Sequence, residues 1–118
     1  MKNLLIAAVV ASASALVLAQ DAVRTDATHY KLVLENASVR ILRISYAPGA
    51  KSQKHSHPDA IVVALSAAKP TFTLPDGTSQ PADLANESSM YTPAGTHTVT
   101  NGTTPVDAVL IEFKTPKP

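Results

Sequence analysis

Ser88-Ser89-Met90-Tyr91-Thr92-Pro93-Ala94-Gly95-Thr96-His97-Thr98-Val99-Thr100-Asn101-Gly102 is the stretch on which the fold turns. It reads as strand, turn, strand, turn. Residues 88–92 form a short β-prone run. Pro93-Ala94-Gly95 interrupts it, because proline fixes φ and glycine adopts backbone angles that other residues avoid. Residues 96–100 then alternate in polarity, as a strand with two unlike faces does, and Asn101-Gly102 turns the chain again. Towards the C-terminus, residues 106–113 give one more strand before the frayed end at residues 115–118. Towards the N-terminus, residues 71–74 alternate and stop at the hairpin signal Pro75-Asp76-Gly77. Ile61-Val62-Val63-Ala64-Leu65 is a continuous apolar run, which predicts a strand buried on both faces. Residues 39–46 are β-branched and apolar apart from Arg40, Arg43 and Ser45, and Pro48-Gly49 ends them. Before the Asn36-Ala37-Ser38 turn, Tyr30, Leu32 and Leu34 alternate with Lys31, Val33 and Glu35.

The pattern predicts an all-β domain of about seven or eight short antiparallel strands, spaced by about 8–12 residues, closing as a sandwich or barrel. Nine prolines in 118 residues oppose helices. There is no internal repeat and no linker, so residues 29–114 are read as one domain.

The N-terminus carries a different signal. Met1-Lys2-Asn3 is followed by an apolar run over residues 4–18, broken only by Ser12 and Ser14, and then by Val17-Leu18-Ala19. A positive start, a short apolar core and small residues at the end form the pattern of a secretory signal peptide. A membrane span needs about 20 apolar residues, more than this run supplies. The expected leader is residues 1–19, with cleavage after Ala19 and Ala15 as the alternative. Residues 20–28 are polar and irregular and read as a flexible tail. The expected location is the periplasm or the exterior, with no membrane attachment after cleavage.

Removal of the leader takes away Lys2 and leaves nine basic against nine acidic residues in 99. A neutral chain without a Lys/Arg cluster is a poor partner for nucleic acid or anionic lipid. The chain has no cysteine, so an exported domain of this size has no disulfide to support it. Core packing, metal binding or pairing into a homodimer must supply its stability.

Of four histidines, three fall in suggestive places. His55 and His57 are two apart, so on a strand both point to one side and can reach one ion. His97 follows the Pro93-Ala94-Gly95 turn on a separate strand, which an antiparallel pairing can bring beside them. The alternative is a set of ordinary core or surface histidines. His29 stands alone and is given no role.

The residues around the histidines favour the ligand reading. Gly49, five residues and His55-Ser56-His57 resemble the first motif of the cupin superfamily. Pro93-Ala94-Gly95-Thr96-His97-Thr98-Val99-Thr100-Asn101 resembles the second, from its proline onward. The resemblance covers residues 30–114, and Ser56-His57-Pro58-Asp59 is similar to the context in small exported single-domain cupins. It implies a jelly-roll β-barrel holding one divalent transition metal (Fe, Mn, Zn, Ni or Cu) through His55, His57 and His97. Gly49, Pro93, Gly95 and Asn101 become framework residues.

The chain also departs from that pattern. The glutamate ligand of the family would fall at Ile61 or Val62, and the early glycine of the second motif at Glu87. A site of three neutral imidazoles keeps the full charge of the ion and favours an anion or hydroxide at an open position. Imidazole suits several of these metals, so the ligand set does not choose among them. Gln53 shares parity with His55 and is the candidate additional ligand. Asp59 and Glu112 are read as solvated or supporting groups, and Tyr46, Tyr91 and Phe72 as core or cavity wall. The partner so implied is a small molecule. Three activities stand open: an oxygenase-like or hydrolytic enzyme, a non-catalytic module for a small ligand or metal, or a structural barrel with a vestigial site.

Overall fold

The structure is a computed structural model and describes residues 20–114. The expected leader and residues 115–118 lie outside the described residues. One helical turn, α1 (Ala22–Thr25), precedes nine strands. These are β1 (Tyr30–Glu35), β2 (Val39–Tyr46), β3 (His55–His57), β4 (Ala60–Ala64), β5 (Thr71–Thr73), β6 (Ser79–Pro81), β7 (Ser89–Thr92), β8 (Gly95–Thr100) and β9 (Val106–Phe113). One sheet has five strands in the order β1-β2-β9-β4-β7, the other four in the order β3-β8-β5-β6. Every pairing within the sheets is antiparallel. This is an all-β jelly-roll architecture, with neighbours in a sheet far apart in sequence.

Alternation explains which face is inside. Along β9 buried and half-buried residues take turns from Val106 to Glu112. Cross-strand register turns that alternation into rows. Leu32, Leu42, Leu110 and Val62 form one inward row, and Tyr30, Ile44, Ala108 and Ala64 the next. Leu42 is fully buried and Leu110 nearly so.

The turns follow their chemistry. Asn36 Oδ1 accepts the backbone N–H groups of Ser38 and Val39 at 2.8 and 3.0 Å, closing the β1–β2 hairpin. Asp76 Oδ1 accepts from Thr78 N–H at 2.8 Å, while Gly77 takes φ +91° in the β5–β6 hairpin. Among the described residues the only non-glycine with positive φ is Glu87, at +59°. That is the position where the second cupin motif has its early glycine.

Three sequence expectations change. The short strand β6 was not foreseen, and with β3 it brings the count to nine. The run at residues 61–65 is not buried on both faces: Ile61 and Val63 are half-buried and Leu65 is 41% exposed. It occupies an interior strand of one sheet, and among the described residues no second layer covers that sheet's outer face. Residues 20–28 are not a flexible tail. Ala22 is fully buried and packs in the core, and Asp21 and Asp26 are buried. Gln20 O accepts the Ser56 N–H at 2.7 Å, and Arg40 donates to both carboxylate oxygens of Asp21 at 3.0 and 3.2 Å. The polarity that reads as a tail is used in these hydrogen bonds.

Candidate metal centre

The pairing of β3 with β8 sets His55 directly across from His97, and His57 across from Gly95. Pro93-Ala94-Gly95 therefore does what its composition implies and delivers His97 beside the pair. The His55 and His97 rings lie 4.8 Å apart at 88°, and the His57 and His97 rings 4.9 Å apart at 54°. His55 is 1% and His57 6% exposed. Ser56 alternates with them and points away: its Oγ is 2.6 Å from Thr96 Oγ1 and 3.1 Å from Gln20 Oε1.

The hydrogen bonds assign tautomers. His55 Nδ1 lies 2.9 Å from the carbonyl oxygen of Gln53, and His57 Nδ1 lies 2.9 Å from that of Pro58. A carbonyl accepts only, so both Nδ1 atoms carry the proton and both Nε2 atoms keep a lone pair. Carbonyl contacts of this kind orient metal-bound imidazoles. Burial holds His55 below the ordinary imidazole range, with the Gln53 contact opposing it and the neighbouring His57 adding to it. Burial, helped by His55 and His57, brings His97 down to about 3. Both rings are neutral at neutral pH, the form that binds metal.

Next to the rings is a cavity of about 610 Å³. Its wall includes Tyr30, Ile44, Val62, Phe72, Val99 and Leu110, and no lysine or arginine lines it. Phe72 and Tyr46 are wall residues, as their aromatic character led one to expect. Tyr91 also borders the cavity, although it is 60% exposed. Val62 faces inward from one of the two positions where the family glutamate would fall. Ile61 alternates to the outer face.

The remaining candidates separate cleanly. Gln53 is exposed and does not line the cavity, so its amide is not a ligand candidate. Regular β3 begins only at His55, and strand parity does not extend back to Gln53. What Gln53 supplies is its backbone carbonyl. Asp59 is exposed and its Oδ1 accepts the Ala94 N–H at 2.8 Å, which fixes the turn before β8. Glu112 is not solvated: it is 2% exposed and lies on the inner face beside Arg40, outside the cavity wall. His29 has a structural place, with Nδ1 2.9 Å from Asp26 Oδ2 and its ring stacked 4.2 Å from Tyr46.

Tyr30 was not singled out in the sequence. Its ring lies 4.7 Å from His55, and its hydroxyl accepts from Tyr46 O–H at 2.7 Å. Burial raises both phenols well above their ordinary range. Its parity with Leu32, across from the buried Leu42, was the available signal.

The donor chemistry fits a divalent transition metal. Two imidazoles on one tetrahedral ion have ring centres about 5 Å apart, given metal–nitrogen bonds of about 2.0–2.1 Å. The two spacings to His97 agree with this. The side-chain directions do not: among the described residues no group of three or more His, Cys, Asp or Glu is arranged to hold an ion as it stands. His55 and His97 are edge-to-face, the packing neutral rings adopt with each other. No hydrogen bond contributes to the His97 shift.

No known family profile matches the chain, and no curated protein matches it. Solved structures do. A cupin domain from Bordetella pertussis Tohama I superposes with a TM-score of 0.67 at 27% identity, over 73% of this chain and 92% of that one. A cupin superfamily protein from Desulfitobacterium hafniense gives 0.55 at 18%, over 73% and 76%. An RmlC-like cupin family protein with a double-stranded β-helix fold from Methanocaldococcus jannaschii gives 0.56 at 15%, over 71% and 77%. The last two show the shared fold alone. With both motif stretches on paired strands, the chain has the cupin fold and is similar in sequence to a cupin domain.

Proposed function

We propose that this cupin, exported after loss of residues 1–19, holds one divalent transition metal through His55, His57 and His97 and binds or transforms a small molecule in the adjoining cavity. The observation that carries this reading is the pair of Nδ1–H contacts to the Gln53 and Pro58 carbonyls at 2.9 Å. They commit two buried imidazoles to the tautomer whose Nε2 can ligate, next to a third neutral ring. When bound, the ion would act as a Lewis acid on a ligand oxygen.

The wall of the cavity supports a class of ligand. A volume of about 610 Å³ falls within the range of small-molecule sites. Its apolar lining suits an uncharged hydrocarbon body. No lysine or arginine is present to hold an anionic group, so a carboxylate or similar oxygen must meet the metal end. The buried acid Glu112 faces Arg40 and not the histidines. Among the described residues Asp83 is the one carboxylate that lines the cavity, and a non-catalytic binding module is the second reading.

Metal stoichiometry and competition titration against a mild chelator test the proposal. Wild type should retain one ion per chain. His97→Ala should lose it, with affinity falling at least the roughly 10–100-fold seen for lesser changes around metal ligands. His29→Ala, Asp59→Asn and Glu112→Gln should keep the ion. Equal metal content in wild type and His97→Ala removes the three-histidine site. Mass analysis of the released protein should give an N-terminus at Gln20, and a retained apolar run would end the export reading.

A further inference from the structure

β3 is an edge strand of the four-stranded sheet and is only three residues long. Pairing with β8 engages one of its sides. The other side would leave the Ser56 N–H bare, midway between His55 and His57. Residues 20–26 cover that side. Gln20 O accepts the Ser56 N–H at 2.7 Å, and Asp21 forms a parallel bridge with Ser56. Gln20 Oε1 also accepts the Ser56 O–H at 3.1 Å. A serine has one hydroxyl proton, so the Thr96 O–H donates to Ser56 Oγ, at 2.6 Å. Ser56 thereby joins the N-terminal segment both to β3 and to the neighbour of His97. The segment is anchored from the other sheet by charge: Arg40 on β2 donates to both oxygens of Asp21 at 3.0 and 3.2 Å. Ala22, the next residue, is fully buried and lines the cavity beside Tyr30, His55 and His57. At the far end Asp26 accepts from His29, whose ring stacks on Tyr46.

We infer that residues 20–26 are a strap that sets the directions of the His55 and His57 rings, with Asp21 and Arg40 as its positioning residues. Each ring is oriented by a carbonyl beside β3: Gln53 O for His55 and Pro58 O for His57, both at 2.9 Å. Those contacts are only as firm as the backbone of residues 53–58. That backbone has β8 on one side and the strap on the other, and the strap grips it at Ser56, between the rings. Neither Asp21 nor Arg40 lines the cavity, so both act through Ser56. The allocation of Arg40 separates positioning from mere coverage of the core. Its two terminal nitrogens go to Asp21, although the more deeply buried Glu112 stands 3.6 Å from its Nε. Arg40 Nε and Glu112 Oε2 are left without partners. Stability alone would favour turning the guanidinium to the buried acid, where the desolvation cost is larger. The fold instead leaves that acid unsatisfied and holds the strap, as a supporting shell does for a site that must be precise. The inference rests on the metal reading only for what the rings receive; their directions are a property of the metal-free chain.

Nuclear magnetic resonance of the purified protein, its N-terminus read by mass analysis, tests the inference through amide exchange and imidazole N–H signals. The protein is measured first without metal and then with cobalt(II). In wild type the Ser56 N–H should exchange slowly, and His55 and His57 should both show Nδ1–H signals. Asp21→Asn keeps the side chain's size and removes its charge, and the freed guanidinium can turn to Glu112, so the fold should hold. Ser56 exchange should quicken about 10–100-fold, as loss of a charge-assisted contact implies, and both Nδ1–H signals should broaden. Cobalt affinity, read by competition with a chelator, should fall within the roughly 10–100-fold range of changes behind metal ligands, and the visible spectrum of the bound ion should change. Arg40→Lys keeps the charge but loses the fork and should act the same way. Asp21→Glu should retain most of the wild-type behaviour. Asp107→Asn breaks the exposed Arg43–Asp107 pair and should alter none of these readings. Unaltered Ser56 exchange in both Asp21→Asn and Arg40→Lys overturns the strap. Faster exchange with unaltered imidazole signals overturns it too, because the segment is then only a cover. A wild type that takes up no cobalt while the imidazole signals move as expected ends the metal reading and supports the strap.

Discussion

Glu112 is an acid enclosed with too few partners, and replacing it with glutamine should make the protein more stable at alkaline pH. Both terminal nitrogens of Arg40 are taken by Asp21. Only Arg40 Nε faces Glu112, at 3.6 Å from Oε1, beyond hydrogen-bond reach. Arg40 Nε and Glu112 Oε2 are both buried without a partner. Burial therefore dominates: it lifts the Glu112 carboxyl from 4.5 to about 7, against the opposing pull of Arg40 and with the help of Asp21 and Glu35. The folded chain holds this proton to higher pH than the unfolded chain does. Its contribution to stability is complete below about 4.5 and is lost as pH rises through 7. At 1.36 kcal/mol per pKa unit the loss is on the order of 3 kcal/mol. Glutamine resembles the protonated acid and has no charge to desolvate. Urea unfolding from pH 5 to 8.5 should give wild type and Glu112→Gln similar stabilities at the acid end and a gap approaching ~3 kcal/mol at the alkaline end. The comparison must be between the two proteins. His97, lowered to about 3, contributes stability above about 6.5 that is lost as pH falls, and this opposes the wild-type trend. A gap that does not change with pH, or one that grows in favour of wild type above pH 7, refutes this account of the cluster.

Two further substitutions follow from the turns. Asn101 is buried and its amide donates to the Ala47 and Thr104 carbonyls at 3.0 and 2.8 Å, joining the ends of β2, β8 and β9. Asn101→Ala should cost about 1–2 kcal/mol in urea unfolding, because a buried amide that bonds two part-buried carbonyls is lost; a loss under 0.5 kcal/mol would mean that water replaces it. Glu87→Gly should add roughly 0.5–1 kcal/mol by relieving the left-handed backbone, and a destabilised variant would show that the Glu87 side chain matters more than its φ.

The strands were legible wherever alternation was clean. Residues 30–35, 39–46 and 106–113 were read to the residue; in 106–113 one face meets the core and the other does not, whereas in 30–35 only Tyr30 is buried and a bulge between Leu32 and Leu34 breaks the alternation. The three histidines proposed as ligands were legible through a resemblance, and the structure sets His55 across from His97. Residues 20–28 were misread because polarity looks the same in a solvated tail and in a segment whose polar groups are bonded to Ser56 and Arg40. Gln53 was misread because strand parity was carried back past the start of β3.

By itself the sequence determined the β period, the turns at Pro75-Asp76-Gly77, Pro93-Ala94-Gly95 and Asn101-Gly102, and the three histidines as a group. These are local matters: they depend on the φ preferences of a few residues and on which side of a strand a residue falls. Only the tertiary structure decided that Glu112 is enclosed and that Tyr30 touches His55. Those facts depend on the order β1-β2-β9-β4-β7, in which strands distant along the chain become neighbours. Periodicity fixes which face a side chain takes, but the identity of its neighbour across the sheet is set by long-range pairing, which no local pattern encodes.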